Sequence, residues 1–346
     1  MEQAAEQTPR RAAPPPRPRN PLARPPRARS PHARRTRLRR LASSLAGAAV
    51  VVLCVTFLAF LLSYLSPTDA ATQYFSAKGV APTAEELAAK RAELGLDRPF
   101  LVQYGSWLVS MLHADMGTSL RSGRAVADVM ASSLPYTLAL AASSLALTLA
   151  VSLPLGLLCA RRKDGALDNA VRALSYVLCS TPSFFLALLL LYVLSVKLGL
   201  LPVSSDGPVG IVMPTLALAL PHAAWYVRQI RALALAELSS GYVEGLRARG
   251  VRERTILFKH VLRNSLVPIL ALVGISAGTL LGGSAVVEVV FSWPGVGNAA
   301  VSAISSRDYA VIQAYALLMA LVYLVVNWAV DLLSGLVDPR IRQVGP

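Results

Sequence analysis

The side chains of this sequence that could do acid–base or metal chemistry are few and set far apart. Four histidines and three cysteines are spread over 346 residues. His222 stands alone inside an apolar stretch, whereas a bound metal draws three or four ligands together. A packed, hydrogen-bonded imidazole is the favoured reading. His113 and His260 are equally unsupported as ligands. Cys54, Cys159 and Cys179 fall inside apolar runs without zinc-type spacing and read as small core or lipid-facing residues. Glu288 and Asp331 close two uncharged runs, where hydrated end-capping or local pairing accounts for both. There is no G-x-S-x-G, no H-E-x-x-H and no G-x-x-x-x-G-K-S/T. The expectation is a chain that is not an enzyme, holds no metal and needs no cofactor. A proton-driven carrier would typically place an acid near the middle of the membrane, and none falls there. Any ATP used would have to be bound by a partner.

One polar concentration remains. Eight Lys/Arg lie between Arg228 and Arg263, with uncharged runs on both sides. Within it, Tyr242 to Arg249 suits two helical turns ended by Gly250 as a left-handed cap. Val243 and Leu246 share a face, and Glu244 is spaced to pair with Arg247. Arg252 to Leu262 suggests a second helix leading into the next apolar run. A short capped helix between two spanning helices is shaped to fit a partner's groove. A basic loop that only obeys membrane topology has the same composition, and the residues alone leave both readings open.

The elements that must position this island are apolar blocks. Hydrophobic residues make up 54% of the chain and charged ones 15%, against about 25% charged in soluble domains. Uncharged stretches run over 41–65, 129–160, 173–196, 207–227, 264–287 and 309–330. Each reaches the roughly 20 residues that cross a bilayer, and in hydrocarbon such segments are helices. The expected fold is therefore all-α and polytopic, with six transmembrane helices. The net charge of +15 is unevenly placed. With the N-terminus cytoplasmic, 26 Lys/Arg fall inside and 8 outside, where 9 Asp/Glu offset them. That asymmetry sets the orientation and puts both termini in the cytoplasm. Residues 1–40 are nearly all Arg, Pro, Ala and Ser and are expected to be a disordered arm near lipid headgroups. The arm lacks aromatic residues, so nucleic acid is not its expected partner. Residues 41–336 are expected to form the membrane domain, with an outer segment 66–133, an inner loop 234–265 and a tail 337–346.

In the outer segment, Thr83 and Glu86 form the pattern of a capping box. Phe100 to His113 suits the membrane interface, with Tyr104 and Trp107 at that level. The second spanning helix is expected to start near Leu134-Pro135, the third to run over Ala173–Val196 and the fourth over Gly210–Val227. The fifth is expected at Leu266–Val287 and the sixth at Ala310–Leu333. Pro154, Pro182, Pro214 and Pro221 would bend three consecutive helices. Gly274, Gly278, Gly282 and Gly283 would let the fifth pack closely. Pro182, Pro221, His222, Gly278, Gly282 and Gly283 are the candidates for lining or gating a pathway.

Gly241-Tyr242-Val243-Glu244-Gly245-Leu246-Arg247-Ala248-Arg249-Gly250 with Leu262-Arg263-Asn264-Ser265-Leu266-Val267-Pro268 resembles the coupling motif of binding-protein-dependent ABC importer permeases. Ala92 to Pro99, Phe291 to Gly297, Arg307-Asp308-Tyr309 and Asp338-Pro339-Arg340 agree with the dipeptide/oligopeptide/nickel branch. The B-type nickel subunit is the most similar in the outer segment. Gly245 and Leu246 depart from the alanines of the wider motif, and the arm 1–40 is not part of the pattern. The resemblance implies a type I ABC importer permease fold and one half of a heterodimeric channel with a second permease subunit. It also implies two ATP-binding cassette ATPase subunits below and a substrate-binding protein outside. Tyr242, Glu244, Arg247, Ala248 and Gly250 would be the ATPase-coupling residues. The expected cargo is nickel or a nickel/metal chelate, with a dipeptide or oligopeptide as the alternative, and a secondary transporter working alone is the rival.

Overall fold

The computed structural model describes residues 32–203, 207 and 209–337, with side chains from residue 43 onward. The chain divides into units 1–47 and 48–346. Within the described residues it is helical, with one isolated antiparallel bridge, Thr118 to Ala125. The first element, α1 (His32–Tyr64), begins nine residues inside the arm expected to be disordered. It starts just after Pro31, the arm's last proline, where Arg, Leu and Ala take over as good helix formers. The rest of the arm, the 337–346 tail beyond Val337 and the Asp338-Pro339-Arg340 motif lie outside the described residues.

The outer segment holds α2 (Ala70–Ala77), α3 (Ala84–Glu93) and α4 (Phe100–Leu112). Asp69 caps α2, and Thr83 with Glu86 closes the expected capping box on α3. Phe100, Tyr104 and Trp107 of α4 meet Phe57 and Phe60 of α1 edge-on or tilted, and Tyr104 Oη lies 3.0 Å from Thr56 Oγ1. This aromatic stack joins the outer helices to the first span.

Next come α5 (Val126–Arg161), α6 (Ala166–Ser180) and α7 (Ser183–Leu190), the last continuing as a π-helix over Leu191–Lys197. The chain then forms α8 (Val212–Leu238), α9 (Gly241–Ala248) and α10 (Glu253–Thr255). A π-helical stretch (Ile256–Val261) leads into α11 (Leu262–Val290), followed by α12 (Val296–Ser305) and α13 (Tyr309–Val337). Several expected boundaries move outward: α5 starts at Val126 and carries both Pro135 and Pro154, α8 runs on to Leu238, α11 covers Leu262–Val290 and α13 ends at Val337.

The third expected span, Ala173–Val196, is not one rod. α6 and α7 meet at 103° across Thr181-Pro182. Thr181 is extended (φ −88°, ψ 121°), the conformation a following proline imposes, and Pro182 caps α7 where no N–H donor is needed. Among the described residues four helices are long and apolar enough to cross a membrane, and the bent pair, taken as one span, is a fifth. The fourth expected span, α8, has 27 residues but carries His222, Arg228 and Arg231 and falls short in apolarity. Its surroundings explain this, because α8 packs against α5, α6, α7 and α11 and buries a long list of small residues. Protein rather than lipid is its solvent. At the closest approach a Cβ on Gly156 of α5 would fall 2.8 Å from Ile230.

Candidate functional site

The inner loop folds as the sequence suggested. α9 presents Val243, fully buried, and Leu246 to an apolar cluster that also contains Leu157, Tyr226, Ile230, Ile256, Leu257 and Val261. Its C-terminus is a Schellman motif. Gly250 N donates to Arg247 O (2.9 Å), Val251 N donates to Leu246 O (3.1 Å), and Gly250 sits at φ +74°. Leu246 and Val251 both pack on the same cluster, the apolar contact that accompanies this cap.

The opposite face of α9 is open. Tyr242, Glu244, Arg247, Ala248 and Gly250 are all exposed. Tyr242 Oη donates to Glu237 Oε2 (2.7 Å), and Asn264 Nδ2 donates to the same oxygen (3.3 Å), so α8, α9 and α11 are tied at one carboxylate. Burial and the Glu237 carboxylate push the Tyr242 phenol up from its ordinary value. The expected Glu244–Arg247 pair is absent. Arg247 Nε instead donates to Glu253 Oε1 (2.6 Å), across the Gly250 turn, and the Glu244 carboxylate has no hydrogen-bond or ion-pair partner among the described residues. The turn brings Glu253 to Arg247, whereas Glu244 projects from the exposed face. Beside it a pocket of about 300 Å³ is lined by Tyr242, Gly245, Leu246, Arg249 and His260.

The candidate pathway residues are spread over the α6–α7 junction, α8 and α11. Pro182 makes the α6–α7 break. Pro221 lies inside α8, where its carbonyl receives the Cys179 thiol at 3.8 Å. His222, half-buried, donates from Nδ1 to Leu218 O (2.8 Å), with Nε2 3.2 Å from Thr279 Oγ1. A Cβ on Gly278 would meet Tyr323 of α13 at 3.0 Å, and one on Gly274 would meet Val330 at 3.4 Å. Gly282 and Gly283 meet nothing within 4 Å, so close packing within this chain does not account for them.

Sequence reasoning missed three polar constellations. Glu288 is not hydrated; it is fully buried. Thr137 donates to its Oε1 (2.7 Å), and the Asn298 N–H in the first turn of α12 donates to its Oε2 (3.0 Å), so a carboxylate caps a helix N-terminus. A Cβ at Gly295 or Gly297 would come within 2.5 to 2.7 Å of that carboxylate. Those two glycines, two residues apart and downstream of an acid, were the available signal. Asp331, by contrast, is exposed as expected. The second constellation is Arg231, whose Nε and Nη2 donate to both oxygens of buried Asp168 at 2.6 Å. The third is Arg228, whose guanidinium lies 5.0 Å from the Tyr176 ring centroid. Both arginines lie beyond Val227, where charge alone ends the fourth expected span, yet α8 carries them inside its helix.

Comparison with known proteins accounts for this architecture. Residues 152–343 match the family described as binding-protein-dependent transport system inner membrane component, and residues 37–141 match the N-terminal membrane component of such systems. A Brucella suis biovar 1 protein provisionally named a peptide permease is 37% identical over 304 residues, covering 84% of this chain and 95% of the relative. The metal-staphylopine import system permease protein of Staphylococcus aureus strain Mu50 is 33% identical over 295 residues, covering 85% and 94%. The nickel import system permease protein of Staphylococcus aureus strain MRSA252 is 34% identical over 297 residues, covering 86% and 90%. Among solved structures, an inward-facing MetNI methionine ABC transporter chain superposes with a TM-score of 0.53 at 21% identity, covering 61% of this chain and 96% of that one. That likeness shows the fold. This chain belongs to the inner-membrane permease family of binding-protein-dependent ABC importers, and it is a multi-pass transport component rather than an enzyme.

Proposed function

We propose that α9 is the element through which separate ATPase subunits drive this permease, and that the cargo is nickel or a metal chelate. The observation that carries the docking role is the division of α9 into two faces. Val243 and Leu246 anchor it in the bundle, while Tyr242, Glu244, Arg247 and Ala248 face outward. A helix fixed to its own core can pass on a displacement, which a loose loop cannot, and a bias of a few kcal/mol between two states is enough to switch access. The basic loop and the 160–172 turn then face the cytoplasm, and the 66–133 segment faces the substrate-binding protein. A second permease subunit completes the channel, and lipid covers the remaining apolar faces.

The metal reading rests on the metal-staphylopine and nickel relatives. Peptide is the second reading, favoured by the 37% identical Brucella relative. The test of docking is ATP hydrolysis by the purified complex on adding loaded binding protein. E244K and G250D are expected to insert and assemble but to lose that stimulation. Wild-type stimulation in both variants would end the proposal. Uptake of nickel–histidine chelate against a tripeptide, in vesicles holding the complex, decides between the two cargoes.

A further inference from the structure

Arg228 and Arg231 lie one turn apart on α8, yet only one has its charge answered. Asp168 takes both edges of Arg231. No ion pair among the described residues involves Arg228, and its Nε is buried without a hydrogen-bond partner. Its guanidinium is held over the Tyr176 ring. Arg228 lies ten residues before the end of α8, and Tyr176 lies ten residues after the start of α6. Ten residues of helix rise about 15 Å, so both residues lie well inside their helices rather than at an end. Arg228 sits one turn further into α8 than Arg231, whose partner Asp168 belongs to the first turn of α6. Lipid is an untenable neighbour for a cation within a span; such groups face a bundle interior or a water-filled path.

Two further observations place it beside a path. The α6–α7 break at Thr181-Pro182 comes just over one turn after Tyr176, and broken helices at mid-membrane are where carriers hold their solutes. The least buried stripe of α8, Trp225, Arg228, Gln229 and Ala232, runs along the same region, next to exposed Tyr176 and Cys179 of α6. Stacking on an aromatic ring leaves the in-plane N–H donors of a guanidinium available, and their fork matches a carboxylate.

We infer that Arg228, stacked on Tyr176, is a pathway site that receives a carboxylate of the passing solute. This rests on the cargo class given under Proposed function, since peptides and amino-acid metal chelates both carry carboxylates. The test uses vesicles holding the full complex with its binding protein, and two probes: nickel–histidine chelate and an unmodified tripeptide. For whichever probe the wild type imports, R228Q is expected to lower the solute moved per ATP hydrolysed about tenfold, the loss of one charge-assisted bond. R228K is expected to recover part of it and Y176A to lower it less than R228Q, with all variants purifying with their partner subunits in the wild-type ratio. An unchanged ratio of solute to ATP in R228Q overturns the inference and leaves the cargo reading intact. Loss of a partner subunit from R228Q also overturns it, making Arg228 an assembly contact. If the wild type imports neither probe, the cargo reading fails and this inference fails with it.

Discussion

The two ends of the bundle each carry a short helix beside a long one, and they are held by opposite means. At one end α9 is fixed by apolar burial of Val243 and by a backbone cap, and its polar side chains are left outside. At the other, α12 is fixed by polar groups turned inward: Glu288 accepts from Asn298 N, Thr137 bridges Glu288 and Val296 N, and Trp293 Nε1 donates to Tyr136 O (3.0 Å). Asp308 adds to this, receiving Ser119 Oγ at 2.6 Å. An apolar anchor leaves a polar face available to meet something else. A buried carboxylate capping a helix leaves nothing over. The first arrangement suits a docking element, and the second suits a clamp.

The comparison breaks most easily at Glu288. Truncation to alanine would strip the Thr137 hydroxyl and the Asn298 N–H of their acceptor in a dry site. Bonds to a charged group are worth about 1.5–3 kcal/mol each, so E288A is expected to destabilise the folded permease by about 3–5 kcal/mol, read as a drop in melting temperature in detergent. G297A should behave alike, because its Cβ would lie 2.5 Å from Ala285 Cα. Wild-type melting of either variant would mean that α12 is not clamped.

Next in size is the Asp168–Arg231 pair, which ties the start of α6 to α8 at the α9 end. Asp168 is fully buried and also accepts from Asp164 N (2.9 Å). Removing one partner of such a pair costs about 3 kcal/mol or more, whereas apolar replacement of both can be neutral. D168A is therefore expected to lower stability well below that of the D168L/R231M double variant. Equal melting of the two would show the pair to be dispensable.

The α9 cap should respond more locally. Gly250 occupies the left-handed region with open space around its Cβ position, so G250A meets no clash and adds only backbone strain of about 1 kcal/mol. Faster amide exchange confined to 246–251 is expected, with little change in global melting. Global loss of stability would place the cap in the core and weaken the contrast with α12.

How much of this was legible beforehand follows from which forces act over short sequence distances. The α9 cap was readable because Gly250 and the Val243/Leu246 spacing are local. The same holds for the Thr83–Glu86 box, three residues apart. The Glu288 clamp was not, because its donors come from 151 and 10 residues away. The Arg247 partner was misjudged for a related reason: the Gly250 turn brings Glu253 nearer than any residue on the same helical face. Reading arginine as a block boundary hid Arg228 and Arg231 inside α8, since that rule assumes lipid around every span, and α8 is surrounded by protein.

The smallest effect expected lies in the outer segment and asks how far the clamped end extends. Asp69 caps α2 through Thr72 N (2.8 Å) and receives Arg91 Nε of α3 (2.6 Å). Gln73 Nε2 of α2 donates to Ser306 O beyond α12, and Tyr309 Oη donates to Thr68 O (2.7 Å). Burial raises the Asp69 carboxyl, but the Thr72 and Arg91 contacts outweigh it and hold it below its ordinary 3.8. A carboxyl lowered on folding contributes stability that is complete above that ordinary value and is lost as pH falls through the lowered one. D69A is therefore expected to cost about 1 kcal/mol at neutral pH, the size of a lost helix cap, and the gap to wild type should close as the medium is acidified below 3.8. Melting curves of both proteins across that range would show it. A gap that persists unchanged in acid would mean that the Asp69 charge contributes nothing, and that α2 is held to the α12 end by the Gln73, Arg307 and Tyr309 contacts instead.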